Sequence, residues 1–557
     1  MIKRFFNSQA KTVTFAAGLL SMSALASRAL GLLRDGLLAG YFGAGIETDI
    51  YFAAFRIPDF VYNFLIVGGI SIAFLPLFSE YYSRNKKDAW LMASNILNVF
   101  LVSLIILCSV FFLLAPQLIK FVAPGFGGEE RNLAVNLTRL LFLSPIIFGI
   151  SNIFSGILHY FNRFLVYSTA PILYNFGIIS GIIFLSPQFG ILGVGMGVII
   201  GAFLHLAIQI PSAFTCGFRY YFKINFDHPA LVSIIRLMVP RSFAIGAQQI
   251  NLVVITAIAS TLGEGSIAVF NFANNLYYIP IGLFGISFAL ASFPYLSRLW
   301  VEQKKSKFLE KFYETAKQIV FLVTPLAVMI FLLRAQLVRI ILGSIGPGRF
   351  GWQDTRLTAA CLGVFSVSIV ASAIVPFICR AYFSLKDTKT PTVIAVGSVV
   401  LNIFLSFLLT KILSGSNLFS DAVASFFDLE DIKDISVVGL ALAFSLSMIT
   451  QFILLTIFFS KKISGFKFKE IFSSVEKVVI GCVFLAGAVL AMLYLMANFV
   501  NMHTFLGVFI QAFVSAGAGG GVYLLVNYFL KTPELKIIKT AVLEQFIKKQ
   551  SPLAKQD

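Results

Sequence analysis

Long apolar stretches, separated by short polar connections, recur along the whole chain. Each stretch is long enough to cross about 30 Å of hydrocarbon as a helix. Helices also satisfy their own backbone polar groups in lipid, which open strands and loops do not. The pattern therefore predicts an all-α polytopic membrane protein with about fourteen transmembrane helices, which begin near Val13, Thr48, Ala89, Asn132, Val166, Ile191, Val239, Ile267, Ala316, Leu357, Pro391, Val437, Val478 and Phe505.

Lys and Arg concentrate in every second connection between these spans. Examples are the runs near Lys86, Lys304 and Lys461 and the tail from Lys531. The intervening connections are mostly poor in basic residues, and the longest of them holds five acidic residues between positions 421 and 434. Basic loops stay on the cytoplasmic side. We therefore expect a multi-pass protein of the plasma (inner) membrane with both termini in the cytoplasm.

Part of the sequence is repeated. GGISIAFLPLFSEYY at 68–82 returns as FGISFALASFPYLSRLW at 284–300, so that Gly-Ile-Ser recurs 216 residues later. Six predicted spans separate the copies, an even number, so both have the same orientation in the membrane. This is the pattern of transporters built from two parallel repeats. We expect two pseudosymmetric six-helix lobes and two further C-terminal helices, with the first lobe at 1–217, a cytoplasmic linker that could be amphipathic at 218–238, the second lobe at 239–463, and the last two spans and a cytoplasmic tail at 464–557.

Composition supports a membrane protein and argues against nucleic-acid binding. Of 557 residues, 58% are hydrophobic and 12% charged, whereas soluble domains carry about 25% charged residues. The net charge of +18 follows from the basic loops, and nucleic-acid binding would need basic residues clustered on a soluble face. The five cysteines are scattered without metal-ligand spacing. We expect neither a metal nor a cofactor.

Three charged residues lie inside the first apolar stretch. An ionised side chain at bilayer depth costs about 2.5 to 3.5 kcal/mol, so Arg28, Arg34 and Asp35 must face protein or water. Arg28 and Asp35 are seven residues apart and share a helix face, and Arg34 lies beside them. This face is predicted to line a polar cavity. The alternative is an ion pair of Asp35 with one of the arginines that holds helices together.

Several sequence blocks resemble one membrane protein family. SRALGLLRD, FGAGIETDIYFAAFRIPDF, GISIAFLPLFSEY, CRAYFSLKDTKTP and VLNIFLSFLL look like the signature blocks of the MurJ (MviN) family, the lipid II flippases of the multidrug/oligosaccharidyl-lipid/polysaccharide exporter superfamily. The resemblance covers spans one to twelve. It implies two six-helix lobes around a cavity, and two C-terminal helices that form a hydrophobic groove for the polyprenyl tail.

The resemblance also implies roles for four charged residues. The family needs an arginine and an Arg-Asp pair of the first helix for function, and these match Arg28, Arg34 and Asp35. The acidic residue that follows FGAG in the family matches Asp49. We therefore expect these four side chains to belong to the substrate-binding site.

The chain departs from the family pattern at six positions. Tandem arginines and a glutamate of the second helix, an arginine of the eighth, and sodium-coordinating acids of the seventh and eleventh are replaced by Tyr62, Asn63, Val67, Asn275, Ile255 and Ser406. The cavity is then less cationic than in the family, and we expect sodium binding between spans seven and eleven to be weak.

Three further residues are candidates for the substrate-binding site, each with a structural alternative. Arg56 could line the cavity, or it could pair with Asp59 at a helix kink. Arg241 is the repeat counterpart of Arg28 and could line the cavity or snorkel to the interface. Asn275 could bond sugar hydroxyls or join helices.

No enzymatic motif is present: the chain has no HExxH, GxSxG or Walker loop. Arginine suits a pyrophosphate because its planar fork pairs with phosphate oxygens and stays charged. The leading interpretation is a flippase that moves an undecaprenyl pyrophosphate-linked peptidoglycan precursor from the inner to the outer leaflet by alternating access, working as a monomer among membrane lipids. The alternatives are a carrier of another polyprenyl-linked glycan or of a cationic drug, a membrane glycosyltransferase, and a non-transporting scaffold.

Overall fold

The computed structural model describes residues 13–537, except the side chains of residues 13–18, 67–73, 237, 239–244 and 471–474. All regular structure in that part of the chain is helical. The α-helices are α1 (Val13–Phe42), α2 (Ile46–Val61), α3 (Ser71–Arg84), α4 (Lys86–Leu113), α5 (Ala115–Val122), α6 (Gly128–Leu141), α7 (Leu143–Tyr160), α8 (Phe164–Ser180), α9 (Ser186–Phe189), α10 (Ile191–Ala207), α11 (Gln209–Thr215), α12 (Pro229–Ala259), α13 (Ser266–Pro280), α14 (Ile286–Val301), α15 (Lys305–Leu332), α16 (Arg334–Ile341), α17 (Trp352–Ser384), α18 (Lys389–Leu413), α19 (Leu418–Phe426), α20 (Ser436–Lys462), α21 (Phe468–Ala497) and α22 (Phe505–Phe529).

Eleven helices or continuous helical runs in the described part are long and apolar enough to cross a membrane. Three more long runs, α1, α2 to α3, and α12, have charged residues within their apolar stretches or include side chains outside the description. The all-α membrane fold is confirmed. The predicted count of about fourteen spans is consistent with these runs.

The internal repeat has a structural counterpart in two π-helical segments. One covers Tyr62–Ile70, between α2 and α3, and another covers Ile281–Gly285, between α13 and α14. A third π-helical segment, Gly181–Leu185, lies between α8 and α9 and is outside the repeated sequence. The repeated Gly-Ile-Ser spans the end of each of these two segments and the start of the α-helix that follows. A π turn inside an α-helix is rare and is often found at functional sites. The same unusual backbone at both copies supports two related halves.

The chain divides into two compact units. The first contains Met1–Asn271 and Ile341–Asp354, and the second contains Phe272–Ile340 and Thr355–Asp557. Within the first unit, α8 packs closely on α10: a Cβ added to Gly177 would lie 2.3 Å from the Cα of Gly201. Small residues let helix backbones approach in membranes, where lipid is as apolar as the protein surface.

The segment 216–228 is non-helical and lies along α4 within the first unit. Asn95 and Asn98 of α4 bond its backbone: Asn95 Nδ2 donates to Asn225 O at 2.9 Å, and Asn98 Nδ2 donates to Lys223 O at 2.9 Å. These amides satisfy backbone groups that no secondary structure pairs. Helix α12 then begins at Pro229, so residues 229–238 of the predicted linker form its first turns.

Candidate functional site

The charged face of α1 contains an ion pair between neighbouring residues. Nε and Nη2 of Arg34 donate to Oδ1 of Asp35 at 3.0 and 2.8 Å. The Asp35 side chain is 7% exposed and that of Arg34 is 25% exposed. Asp35 therefore neutralises and orients Arg34, while part of the guanidinium remains accessible. The sequence left two alternatives, an ion pair with Asp35 or an arginine that faces a cavity. Arg34 is both paired with Asp35 and partly accessible.

Asn175 of α8 fixes the other side of the Arg34 guanidinium. Its Oδ1 accepts a hydrogen bond from Nη1 of Arg34 at 3.3 Å. Its Nδ2 donates to Ser27 O at 3.3 Å, which ties α8 to α1 one residue before Arg28. The sequence reasoning missed Asn175, although an amide within an apolar span was a signal that could have found it.

Arg28 lies six residues before Arg34 on α1, about 9 Å away along the helix axis. Its side chain is exposed. The predicted common face of Arg28 and Asp35 is thus exposed at Arg28 and buried at Asp35.

Arg56 of α2 is held by two neutral side chains. Its Nε donates to Thr256 Oγ1 of α12, and its Nη2 donates to Asn271 Oδ1 of α13, each at 2.7 Å. The ion pairs among the described residues do not include Arg56 with Asp59. Arg56 is therefore positioned by its hydrogen bonds to Thr256 and Asn271, and not by an ion pair with Asp59 at a helix kink. Thr256 and Asn271 were not identified from the sequence.

Asp59 lies three residues after Arg56 and is half-buried. Among the described residues, no side chain or backbone group donates a hydrogen bond to its carboxylate. Arg34 and Arg56 both interact with it electrostatically over a longer distance. The four charges of Arg34, Asp35, Arg56 and Asp59 thus form one cluster within the first unit, and their formal sum is zero.

Asp49 caps a helix. Its Oδ2 accepts from Gly265 N at 2.8 Å and its Oδ1 from Ala268 N at 2.7 Å, at the N-terminus of α13. The residue is buried, and a negative charge is favourable at a helix N-terminus. Because both oxygens are occupied, the geometry favours a structural role for Asp49. This structural role differs from the substrate-binding role that the family resemblance implies for Asp49.

Two predicted site residues remain, Arg241 and Asn275. Arg241 is part of α12, and its side chain lies outside the described residues. Asn275 is half-buried in the part of α13 that belongs to the second unit. It follows Asp59 by the repeat spacing of 216 residues. The structure therefore brings together Arg34, Asp35 and Arg56 within the first unit.

Among the positions that depart from the family pattern, Val67 has its side chain outside the described residues, and Ile255 and Ser406 are buried. Ile255 is 1% exposed and Ser406 is 0% exposed. Tyr62 and Asn63 are half-buried at the start of the first π segment. His205, another polar residue of an apolar span, joins α10 to α7 through Ser151 Oγ, 2.7 Å from its Nδ1.

Comparison with known proteins gives consistent matches. A family profile described as "Lipid II flippase MurJ" matches residues 38–510. The lipid II flippase MurJ of Burkholderia cenocepacia is 26% identical over 385 residues, covering 68% of this chain and 74% of that protein. A probable lipid II flippase MurJ of Buchnera aphidicola subsp. Schizaphis graminum is 26% identical over 514 residues, covering 91% and 94%.

Two solved structures are similar over most of the chain. A lipid II flippase MurJ in an inward closed conformation has a TM-score of 0.72 at 26% identity, and the match covers 92% of this chain and 99% of that one. An inward-facing multidrug resistance transporter of the MATE family, from the MOP superfamily, has a TM-score of 0.63 at 16% identity, covering 78% and 94%. This second similarity concerns the fold alone.

Proposed function

The chain belongs to the MurJ family of lipid II flippases, and from this premise we propose that it moves lipid II from the inner to the outer leaflet by alternating access. Lipid II is an undecaprenyl pyrophosphate-linked peptidoglycan precursor, so its transport requires a binding site for a diphosphate and a polar head group. The movement involves no covalent step. The absence of enzymatic motifs noted in the sequence fits such a carrier.

One observation carries the proposal: two arginines within membrane spans are held by the protein and retain N–H groups for another acceptor. A guanidinium has five N–H groups. Among the described residues, Arg34 uses three of them and Arg56 uses two. A pyrophosphate diester carries a negative charge on each phosphate, and such oxygens accept paired N–H bonds from the arginine fork. The remaining N–H groups of Arg34 and Arg56 suit this ligand.

We assign the other predicted residues by their surroundings. Arg28, exposed about two turns before Arg34 on α1, extends the cationic surface. Asp35 orients Arg34 and does not touch the anion, since two anionic groups repel each other. Arg241 and Asn275 are proposed as contacts for the polar head group.

The membrane arrangement is part of the proposal. We place both termini and the basic loops in the cytoplasm and the acidic segment 421–434 outside, on the distribution of Lys and Arg. The protein then lies in the plasma (inner) membrane and works as a monomer among membrane lipids. The two six-helix lobes at 1–217 and 239–463 move so that the substrate site opens to one side of the membrane at a time. The last two spans, at 464–557, come after these lobes in the chain.

A different polyprenyl-linked glycan is the second candidate substrate. Tyr62 and Asn63 stand where the family has tandem arginines, so a part of the usual positive charge is missing. A head group with less negative charge than that of lipid II would suit this difference. The pyrophosphate contacts at Arg34 and Arg56 would be the same.

Depletion rescue tests the proposal. The chain is expressed in bacterial cells that are losing their own lipid II flippase, and growth and lipid II export are measured. We expect rescue by the natural chain and none by Arg34→Ala. Arg84→Ala is the matched control, because Arg84 is 75% exposed in its pair with Glu80, and it should rescue fully. A natural chain that inserts at normal levels but does not restore lipid II export would favour the other glycan or a scaffold.

A further inference from the structure

Asp59 is a carboxylate inside a membrane-spanning run without a hydrogen-bond donor among the described residues. The residue is half-buried and lies on α2, just before the π segment Tyr62–Ile70. Acidic groups at membrane depth are costly and often mark ion or proton pathways. Asp35, the other acid of the cluster, differs because Arg34 neutralises it directly.

The groups around Arg56 and Asp59 come from six elements. Helices α12 and α13 contribute the neutral Thr256 and Asn271 to the same region, through their bonds to Arg56. The titratable and charged groups that interact with Asp59 are Arg34 of α1, Tyr51 and Arg56 of α2, Tyr62 of the π segment and Tyr174 of α8. With Arg34 already paired with Asp35, the charge of Asp59 mainly balances Arg56.

A bound pyrophosphate would replace Asp59 as the counter-charge. Two negative groups near the same arginines repel each other, and protonation of the carboxyl removes that repulsion. Building on the proposed function, we propose that Asp59 takes up one proton from solvent when the pyrophosphate of the substrate binds Arg34 and Arg56. By linkage, the substrate then binds more tightly as pH falls. The O–H bond formed on the carboxyl is balanced by the bond that a hydronium ion or a buffer acid loses, and no bond of the substrate changes.

A polar cavity includes Asn152, which interacts with Tyr62. The cavity has a volume of about 100 Å³ and is lined in part by Asn152, Ser155 and His159. It is large enough for ordered water, which needs only about 10 to 15 Å³ with polar partners. Asn152 also interacts with Tyr62, which in turn lies near Asp59. Water in this cavity and Tyr62 would connect the carboxyl to the end of α7, next to the loop at Arg163.

Binding as a function of pH tests the inference. The purified full-length protein is titrated with a short-chain, water-soluble lipid II analogue, whose pyrophosphate diester has no proton to lose between about pH 5.5 and 8.5. Calorimetry in two buffers of different ionisation enthalpy counts the protons taken up. Above the pH at which Asp59 of the free protein loses its proton, we expect the affinity of the natural chain to fall by up to about tenfold for each further pH unit. In that pH range, binding should take up as much as one proton per protein.

Three variants locate the proton. Asp59→Asn should bind as tightly at every pH as the natural chain does at low pH, with no uptake. Asp59→Glu keeps a carboxyl and should keep the pH slope, and Asp421→Asn, in an exposed segment, should match the natural chain. Equal melting temperatures check that the variants fold.

Two results would overturn the inference: binding of the natural chain that does not change with pH, or an unchanged pH slope in Asp59→Asn. Absence of binding at every pH, in the natural chain and in Asp59→Asn, would instead remove the proposed function on which the inference rests. The two failures are therefore distinguishable.

Discussion

Replacing Gly40 with alanine should separate α1 from the segment 341–354. An added Cβ at Gly40 would lie 1.7 Å from the carbonyl oxygen of Ile345 and 2.7 Å from its carbonyl carbon. Both are backbone atoms, so no side chain can rotate away. Since Cβ atoms essentially never come closer than 3.0 Å to another heavy atom, the two backbones must move apart by at least about 1.3 Å. This movement also breaks the hydrogen bond from Arg349 N to Gly40 O, which is 3.0 Å long.

The expected cost is larger than the helix-propensity gain. Overpacking costs about 1 to 3 kcal/mol, and the lost hydrogen bond about 0.5 to 1.5 kcal/mol. Alanine in place of glycine inside a helix returns about 1 kcal/mol. We therefore expect a net local loss of about 0.5 to 3.5 kcal/mol, which corresponds to opening that is about 2 to 400 times more frequent.

Amide hydrogen exchange measures this opening. Peptides from 341–354, which contain the Arg349 amide, should exchange faster in Gly40→Ala by that factor. Gly31→Ala is the matched control on the same helix, because an added Cβ there meets nothing within 4 Å. It should leave exchange in 341–354 unchanged. Equal exchange in the two variants would refute the close backbone approach and the reasoning built on it.

Three further predictions follow from the cap, the topology and the departures from the family. Asp49→Ala should lower the melting temperature, because two buried backbone amides lose an anionic acceptor worth about 1.5 to 3 kcal/mol each. Asp49→Asn should lower the melting temperature by a smaller amount, and an unchanged melting temperature in Asp49→Ala would argue against the cap. Ser425→Cys, in a background without the native cysteines, should react with an impermeant thiol reagent in intact cells, and labelling only after lysis would reverse the topology. Replacing sodium with potassium at fixed membrane potential should leave flipping unchanged, since Ile255 and Ser406 offer no carboxylate, and a strict sodium requirement would contradict this.

The sequence was sufficient for the spans and for the charged residues of α1. Lipid excludes charge and unpaired backbone so strongly that long apolar runs and the few charges within them stand out. The repeat at Gly69 and Gly285 was also visible, and it recurs as two π-helical segments. These features depend on the membrane more than on the packing of particular side chains.

The partners of the site residues could not be predicted in the same way. Asn175 meets Arg34 across 141 residues of sequence, and Thr256 meets Arg56 across 200. Such pairs depend on how helices pack, which local patterns do not specify. The cap formed by Asp49 has the same cause, since its acceptor role appears only when α2 lies against the start of α13.

Lipid II movement in proteoliposomes tests the central claim most directly. Purified protein is reconstituted with labelled lipid II, and the amount that reaches the opposite leaflet is followed with time for the natural chain, Arg34→Ala and Arg56→Ala at equal incorporation. We expect rapid translocation by the natural chain, and rates at least about tenfold lower in the variants, since each loses charge-assisted hydrogen bonds worth about 1.5 to 3 kcal/mol. Translocation by the natural chain no faster than in protein-free liposomes, or alanine variants as fast as the natural chain, would contradict the account.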